Sequence, residues 1–457
     1  MRFKNIKFHF IGVGGIGMCG LAELFHNSGA IVTGSDLSLN VNTEHLKKLG
    51  IGIFQGHDPS HVQEADVVVY SSAVKMNNPE MMEARQRKIP RIPRAEALAE
   101  IMRFKRGVAV AGTHGKTTTT SMAAAIYIHA QSEPTVVVGG RLDLIKSTAV
   151  LGNGEWIIAE ADESDGSFSK LTPEIAIITN IDDDHMDFFK TMDQLERAFF
   201  EFAQKIPFYG ALIFCGDDSR AKTLLKEFPK TQWSYGFDPK NDYVIQGENS
   251  RYQLWFMDHV VGGKKKIGEF QVPVPGRHNA LNATAAILAG MQSGFSFEVC
   301  QQGLMNFQGV DRRFQLKGQE KDILVFDDYG HHPTEVKATL SAFKEKFPDR
   351  RLVVIFQPHR YSRTENCWHE FLKSFDHADA VLVTDIYAAG ESAIDGITSE
   401  RWAKELNHPH KAYLPKSAQI TQKILTHLKP GDIFLTLGAG DIWKLGLSVL
   451  EDLKHRS

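Results

Sequence analysis

Short apolar runs, each ending in glycine, aspartate, threonine or another polar residue, recur along the chain. KFHFIG starts at Lys7, DVVVYSSAV at Asp66, GVAVAG at Gly107, EWIIAEADE at Glu155, IAIITNI at Ile175, ILVFDDYG at Ile323, RLVVIFQPH at Arg351, AVLVTDIY at Ala380 and DIFLTLGAG at Asp432. Runs of this length, apolar on both faces and separated by helical patterns, predict buried strands of parallel sheets in a βα series. The segment 243–274 alternates instead and predicts an antiparallel region, followed by a long apolar helix in HNALNATAAILAGM from His278. The proline-containing stretch before Arg106 and the turn-rich GVDRRFQ from Gly309 interrupt the pattern, so three domains are expected, at 1–106, 107–311 and 312–457. The expected class is α/β: a Rossmann-like N-terminal domain, a central P-loop-type ATPase domain with a mainly parallel sheet, and a Rossmann-like C-terminal domain. No low-complexity tract or short repeat interrupts the series.

Length and composition agree with this division. A chain of 457 residues is roughly three domains long. A formal charge of −3 gives no basic field for a polyanion, so nucleic acid is not an expected partner. Cys19, Cys215, Cys300 and Cys367 are scattered without CxxC spacing, which fits neither a disulfide framework nor a zinc site. The start reads as a first strand and glycine loop rather than an export leader, and no run of 18 apolar residues predicts a membrane span, so a cytoplasmic protein is expected.

Three motifs carry chemistry. In AVAGTHGKTTTT a glycine loop follows a buried strand and opens a helix, where backbone amides and the positive helix end cradle phosphate. Gly112, Thr113, His114, Gly115, Lys116, Thr117 and Thr118 would surround ATP phosphates, with the Lys116 amine on the terminal phosphates and the Thr117 hydroxyl on Mg²⁺. The spacing departs from the strict Walker pattern: Val110 stands where the first glycine would, and Gly112 comes two residues later. The second motif is acidic, with Glu160, Asp162, Glu163 and Asp165 at one predicted strand end and Asn180, His185 and Asp187 at another. A carboxylate against a polyphosphate meets repulsion of about 4 kcal/mol per charge pair at intermediate dielectric, so such a site calls for a divalent ion. Two ions fit the donor set, one on Glu160 and one on His185. The third is GVGGIG, whose Gly12, Gly14 and Gly17 match GxGxxG, with Asp36 after the next strand placed for a ribose hydroxyl. That motif reports a pyrophosphate on a helix N-terminus; NAD and a nucleoside-diphosphate sugar satisfy it equally. Cys19 beside it reads as a small buried residue or an activated thiol.

Together GTHGKTTTT, EADESDGSF, NIDDDHMD, GRHNALNATAA, GVDRRFQ, DDYGHHPTEV and FQPHRYSRT resemble the Mur ligase family, and its alanine-adding branch in particular, in order and over essentially the whole chain. The resemblance implies an ADP-forming amide ligase that phosphorylates the lactyl carboxylate of UDP-N-acetylmuramate with ATP and lets L-alanine attack the acyl phosphate. It implies Lys116 on the transferring phosphoryl group, Thr117 and Glu160 on one Mg²⁺ and His185 on the other. Asn279 and Asn282 would meet adenine, though asparagines at a helix start also serve as caps. Arg313 would lie near the phosphates or carboxylate, and Asp328 would reach the ATP ribose. Tyr329, His331, Arg360 and Arg363 would line the alanine and acyl-phosphate pocket, and Gly12, Gly14, Gly15 and Gly17 with Ser71 and Ser72 would hold the UDP part. The carbamoylated lysine of several family members has no identifiable equivalent here. A homo-oligomer is left open. The rivals are a murein tripeptide ligase, an NAD-dependent dehydrogenase, which leaves GTHGKTT unexplained, and a non-catalytic nucleotide-binding module.

Overall fold

The computed structural model describes residues 3–71, 73–142, 147–164 and 166–455. Ser72 and Asp165, both named above, lie outside the described residues. The chain forms two compact units, one of Met1–Gly247, Arg251–Pro273 and Ala280–Gln308, the other of Glu248–Ser250, Val274–Asn279 and Gly309–Ser457. Among the described residues there are three sheets.

In the first unit, β1 (Lys7–Ile11), β2 (Ile31–Asp36), β3 (Gly52–Gln55), β4 (Val67–Tyr70) and β5 (Arg91–Pro93) form a parallel sheet in the order β3-β2-β1-β4-β5. The order reverses at β1, whose C-terminal end therefore opens onto a crevice suited to a ligand. The glycine loop occupies that end.

The second sheet of this unit comprises β6 (Arg106–Ala111), β7 (Thr135–Leu142), β8 (Ser147–Val150), β9 (Trp156–Glu160), β10 (Ile175–Ile178), β11 (Ala211–Cys215), β12 (Gln232–Gly236), β13 (Tyr243–Glu248), β14 (Arg251–Asp258) and β15 (Gly263–Gln271). Its order is β15-β14-β13-β12-β11-β10-β6-β9-β7-β8. The centre, β11-β10-β6-β9, is parallel and wholly buried save at Arg106 and Glu160. Covered on both faces, these strands can be apolar at every position, which is why they read as unbroken hydrophobic runs. The expected antiparallel region is the β14–β15 ribbon, while β12 and β13 pair in parallel. The outermost strand β15 exposes Lys264, Lys265 and Lys266, and its pairing with β14 shifts register between Leu254 and Trp255.

The second unit holds β16 (Gln315–Glu320), β17 (Ile323–Asp328), β18 (Leu352–Phe356), β19 (Ala380–Val383), β20 (Lys411–Tyr413) and β21 (Ile433–Leu437) in the order β16-β17-β21-β18-β19-β20. Only β16 runs antiparallel to its neighbour. Phe326, Phe343, Phe356, Phe371 and Trp402 build the core on one face of this sheet. Among the described residues no helix is long and apolar enough to cross a membrane.

Candidate active site

The phosphate loop leaves β6 at Gly112 and enters the helix Lys116–His129. Gly112 has φ +133°, and a Cβ there would stand 2.0 Å from Thr179 Oγ1; glycine is therefore required. Gly115, the helix N-cap at φ +83°, carries no capping side chain, and a Cβ on it would meet Asn282 Oδ1 at 2.6 Å. The first-turn amides are directed out of the helix end, the geometry that receives phosphate. Thr117 and Thr118 lie half-buried in that turn, while Thr119 and Thr120 face the interior. Thr120 returns its hydroxyl to the Lys116 carbonyl at 2.9 Å.

The segment after β10 braces this loop through pairings the motif alone did not reveal. Thr113 N donates to Asn180 O at 3.1 Å and His114 N to Asn180 Oδ1 at 2.8 Å. Asn180 Nδ2 and Thr179 Oγ1 both donate to the His114 carbonyl, at 2.9 and 2.6 Å, and Asp182 N donates to Thr113 Oγ1 at 2.8 Å. His114 Nε2 lies 3.1 Å from Asp182 Oδ2. Asn282 packs on Gly115, beside the phosphate loop.

Lys116 folds over its own loop, its amine donating to Gly112 O at 2.6 Å, Thr113 O at 3.0 Å and Glu163 Oε1 at 2.7 Å. Burial pulls the amine's pKa down, but Glu163, Asp162 and Glu160 together hold it above its ordinary value. Burial pushes the Glu163 carboxyl up to about 7 against the pull of Lys116, with Asp162 adding to the rise. Glu163 Oε2 is buried with no hydrogen-bond partner among the described residues. His185 Nε2 lies 3.8 Å from Glu163 Oε1, so lysine, carboxylate and histidine do converge. Glu160 Oε2 accepts from Gly139 N at 2.8 Å. Carboxylate and hydroxyl oxygens from Glu160, Glu163 and Thr117 are the hard donors that suit Mg²⁺, and the Glu163 oxygen without a hydrogen-bond partner is consistent with that fit.

The N-terminal loop is built the same way. Gly12 and Val13 amides donate to Ser35 O at 2.8 and 3.0 Å, and Asn40 Nδ2 and Asn42 Nδ2 donate to Gly14 O at 3.1 and 2.8 Å. Asp36, the acid that the dinucleotide pattern assigns to a ribose, also holds its own loop: its Oδ2 accepts from Gly14 N at 2.8 Å and its Oδ1 from Ser38 N at 3.2 Å. A short acidic side chain at a strand end satisfies loop amides as readily as ligand hydroxyls. Gly15 caps the helix Ile16–Asn27, Gly17 packs against the Arg94 guanidinium, and Ser71 lies against Gly12. Arg94 Nη2 reaches Asp162 Oδ2 at 3.3 Å, linking this domain to the acidic strand end. Cys19 is a buried structural residue: burial, with Glu23 nearby, pushes its thiol up to about 12.

In the second unit Asp328 is buried at the end of β17 and accepts from Phe314 N and Gly330 N, both at 2.8 Å, and from Thr339 Oγ1 at 3.1 Å. Burial raises its pKa despite nearby Arg313. The predicted pocket residues do gather here. Tyr329 and His331 rings are 5.2 Å apart, His331 and His359 5.8 Å, and Arg363 Nη1 lies 3.3 Å from His359 Nδ1. Arg360 sits at φ +68° with its Nε 4.0 Å from Glu391, and Arg313 reaches Glu335 at 3.5 Å. Asn279 is buried, its Nδ2 donating to Pro275 O at 2.6 Å, so part of its amide serves the turn into the helix Arg277–Gln292. Two contributors escaped the sequence reading. His359 stacks on Tyr387, and burial with the charges of His331, Arg363 and Arg360 drives its pKa down to about 3. Arg312 pins the segment Gly438–Gly440 through three carbonyls and pairs with Asp327 at 2.9 Å.

A braced phosphate loop beside convergent carboxylates is the machinery of enzymes that move a phosphoryl group. Family models agree and narrow the class: residues 7–106 match the Mur ligase family catalytic domain, 110–290 the Mur ligase middle domain and 312–440 the Mur ligase glutamate ligase domain. The chain belongs to the Mur ligase family. It is 61% identical over 453 residues to the UDP-N-acetylmuramate–L-alanine ligase of Bdellovibrio bacteriovorus, covering 99% of this chain and 100% of that one. The enzyme of the same name from Geotalea uraniireducens is 49% identical, with 99% of each chain covered. Among solved structures, the UDP-N-acetylmuramate-alanine ligase of Thermotoga maritima is similar at a TM-score of 0.81 and 30% identity, covering 98% of this chain and 99% of that one. A murein peptide ligase of Psychrobacter arcticus reaches 0.71 at 25% identity, covering 99% and 100%.

Proposed function

We propose that this chain is a UDP-N-acetylmuramate:L-alanine ligase, joining L-alanine to the lactyl carboxylate of its UDP substrate with conversion of ATP to ADP and phosphate. The full-length 61% identity to an enzyme of that name carries the reading. Domain boundaries at 106/107 and 311/312 accompany it, as does a place in the cytoplasm, where ATP and nucleotide sugars are made.

In the first step a lactyl carboxylate oxygen attacks the γ-phosphorus of ATP and the bond to ADP breaks. The Lys116 amine and the first-turn amides of its helix offset the charge on the transferring group. Thr117 and Glu160 would hold one Mg²⁺ and His185 a second, and the ions would supply charge neutralisation for the polyphosphate. In the second step the neutral amine of L-alanine attacks the acyl carbon, loses its proton and expels phosphate. Arg360 and Arg363 offer planar guanidinium forks to the alanine carboxylate and the acyl phosphate. Asn279 and Asn282 serve adenine, Asp328 the ribose, Arg313 the phosphates, and Tyr329 and His331 the amino-acid pocket. Gly12, Gly14, Gly15, Gly17 and Ser71 seat the UDP moiety.

Phosphate release from Mg²⁺-ATP in the presence of UDP-N-acetylmuramate tests the reading. Turnover with L-alanine and none with L-Ala-γ-D-Glu-diaminopimelate is expected. The reverse result would make the chain a murein tripeptide ligase, and silence with both would refute the activity.

A further inference from the structure

Glu80, second residue of the helix Pro79–Gln86, is completely buried and takes no part in the chemistry above. Its Oε2 accepts from the Ser35 hydroxyl at 2.6 Å and lies 3.0 Å from His57 Nδ1. Its Oε1 lies 2.7 Å from His61 Nδ1 and 3.6 Å from His9 Nε2. His9 is itself fully buried and its Nδ1 is 2.9 Å from Thr33 Oγ1. Burial pushes the Glu80 carboxyl up, but the adjacent His9 imidazole and the hydrogen bonds from Ser35 and His61 outweigh it and bring the group down to about 2. An apolar cluster of Ile11, Val62, Val68, Met81 and Ala84 packs on the same side, so hydrophobic side chains could have filled this space. A buried polar cluster in place of such filling fixes one arrangement of the elements that meet in it.

Those elements converge on the glycine loop. Ser35 gives its hydroxyl to Glu80 and its carbonyl to the amides of Gly12 and Val13, and its neighbour Asp36 holds Gly14. His9 lies on β1, three residues before Gly12. We propose that Glu80, with His9, His57, His61 and Ser35, is a positioning cluster that sets the glycine loop for the UDP substrate. This rests on the reading that Gly12–Gly17 seats the UDP moiety. Glu80 touches no reacting atom; it acts through Ser35.

Steady-state kinetics on the full chain separate this role from a purely structural one. Glu80→Gln is expected to raise the KM for UDP-N-acetylmuramate by about 10-fold, with kcat and the KM for ATP within about twofold of the unsubstituted chain. Ser35→Ala deletes the hydroxyl and keeps the carbonyl, and should raise the same KM by about threefold. An unchanged KM for the UDP substrate in both variants, or an equal rise in the KM for ATP, would overturn the proposal. Should Glu80→Gln not fold, Ser35→Ala decides alone, an unchanged KM overturning it. Absence of turnover with UDP-N-acetylmuramate in the unsubstituted chain would overturn the activity reading and this proposal with it, whereas a normal KM in the variants overturns the proposal only.

Discussion

Replacing Gly112 by alanine probes the phosphate loop with a single methyl group. The new Cβ would lie 2.0 Å from Thr179 Oγ1, 3.0 Å from Thr179 N and 3.1 Å from Asn180 N. The backbone at φ +133° is itself strained for an L-residue, at a cost of roughly 1–3 kcal/mol. Relief of the overlap by local shifts costs about 1–3 kcal/mol more. If Thr179 rotates away, its 2.6 Å bond to the His114 carbonyl is lost, worth about 1 kcal/mol. The sum is about 3–7 kcal/mol, and the atoms that must move are those bracing the loop. Denaturant unfolding should therefore show a lowered midpoint, and binding of a non-hydrolysable ATP analogue by calorimetry should weaken at least about 10-fold. Adding Thr179→Ala removes the closest clashing atom, so the double variant should recover part of both losses, a coupling that independent sites would not show. A stability change below about 1 kcal/mol with unchanged nucleotide affinity would refute the reasoning.

Other substitutions test other parts. Lys116→Met should cut turnover at least about 100-fold while circular dichroism stays that of the folded chain, and retained turnover would exclude Lys116 from phosphoryl transfer. Arg312→Lys keeps the charge but cannot span Asp327 and the Gly438–Gly440 carbonyls, so the second unit should lose about 3 kcal/mol, read from its unfolding transition. Glu80 is held at about 2 against an ordinary 4.5, so its ionised form stabilises the fold above pH 4.5 and that contribution is lost as pH falls toward 2. The amount is about 3 kcal/mol, and the stability gap between the unsubstituted chain and Glu80→Gln should shrink over that window. A gap independent of pH would show that Glu80 is not ionised in the fold.

What could be read from the sequence was what lies close together along the chain. GTHGKTT places a strand, two glycines, a lysine and a helix start within a few residues, and the strands beneath it are apolar on both faces, so loop and sheet were both legible. What joins distant segments was not. Lys116 finds Glu163 only because β6 and β9 are neighbours in the sheet, and Thr179 and Asn180 brace the loop only because β10 lies on the other side of β6. The bonds of Asp36 to its own loop were not legible either, because an acid after a second strand suits a ribose hydroxyl and a loop amide alike. His9, Ser35, the pair His57 and His61, and Glu80 come from four segments, and none carries a local spacing that would announce the cluster. The two asparagines were legible as a pair from HNALN, yet their surroundings differ, one amide turned into its own helix start and the other against Gly115.

The ten-stranded sheet must end somewhere, and an open strand edge is a template on which a second chain can add itself. Three consecutive lysines on β15, with the shift of register against β14, make that addition costly: an incoming strand would bring like charges together and meet a twisted, interrupted ladder. A chain with this many buried apolar strands exposes them while it folds, and charged rims of this kind are a common means by which sheets discourage the pairing of neighbours. Exchanging Lys264, Lys265 and Lys266 for threonine would leave the phosphate loop untouched and still be expected to lower the yield of refolded protein as concentration rises.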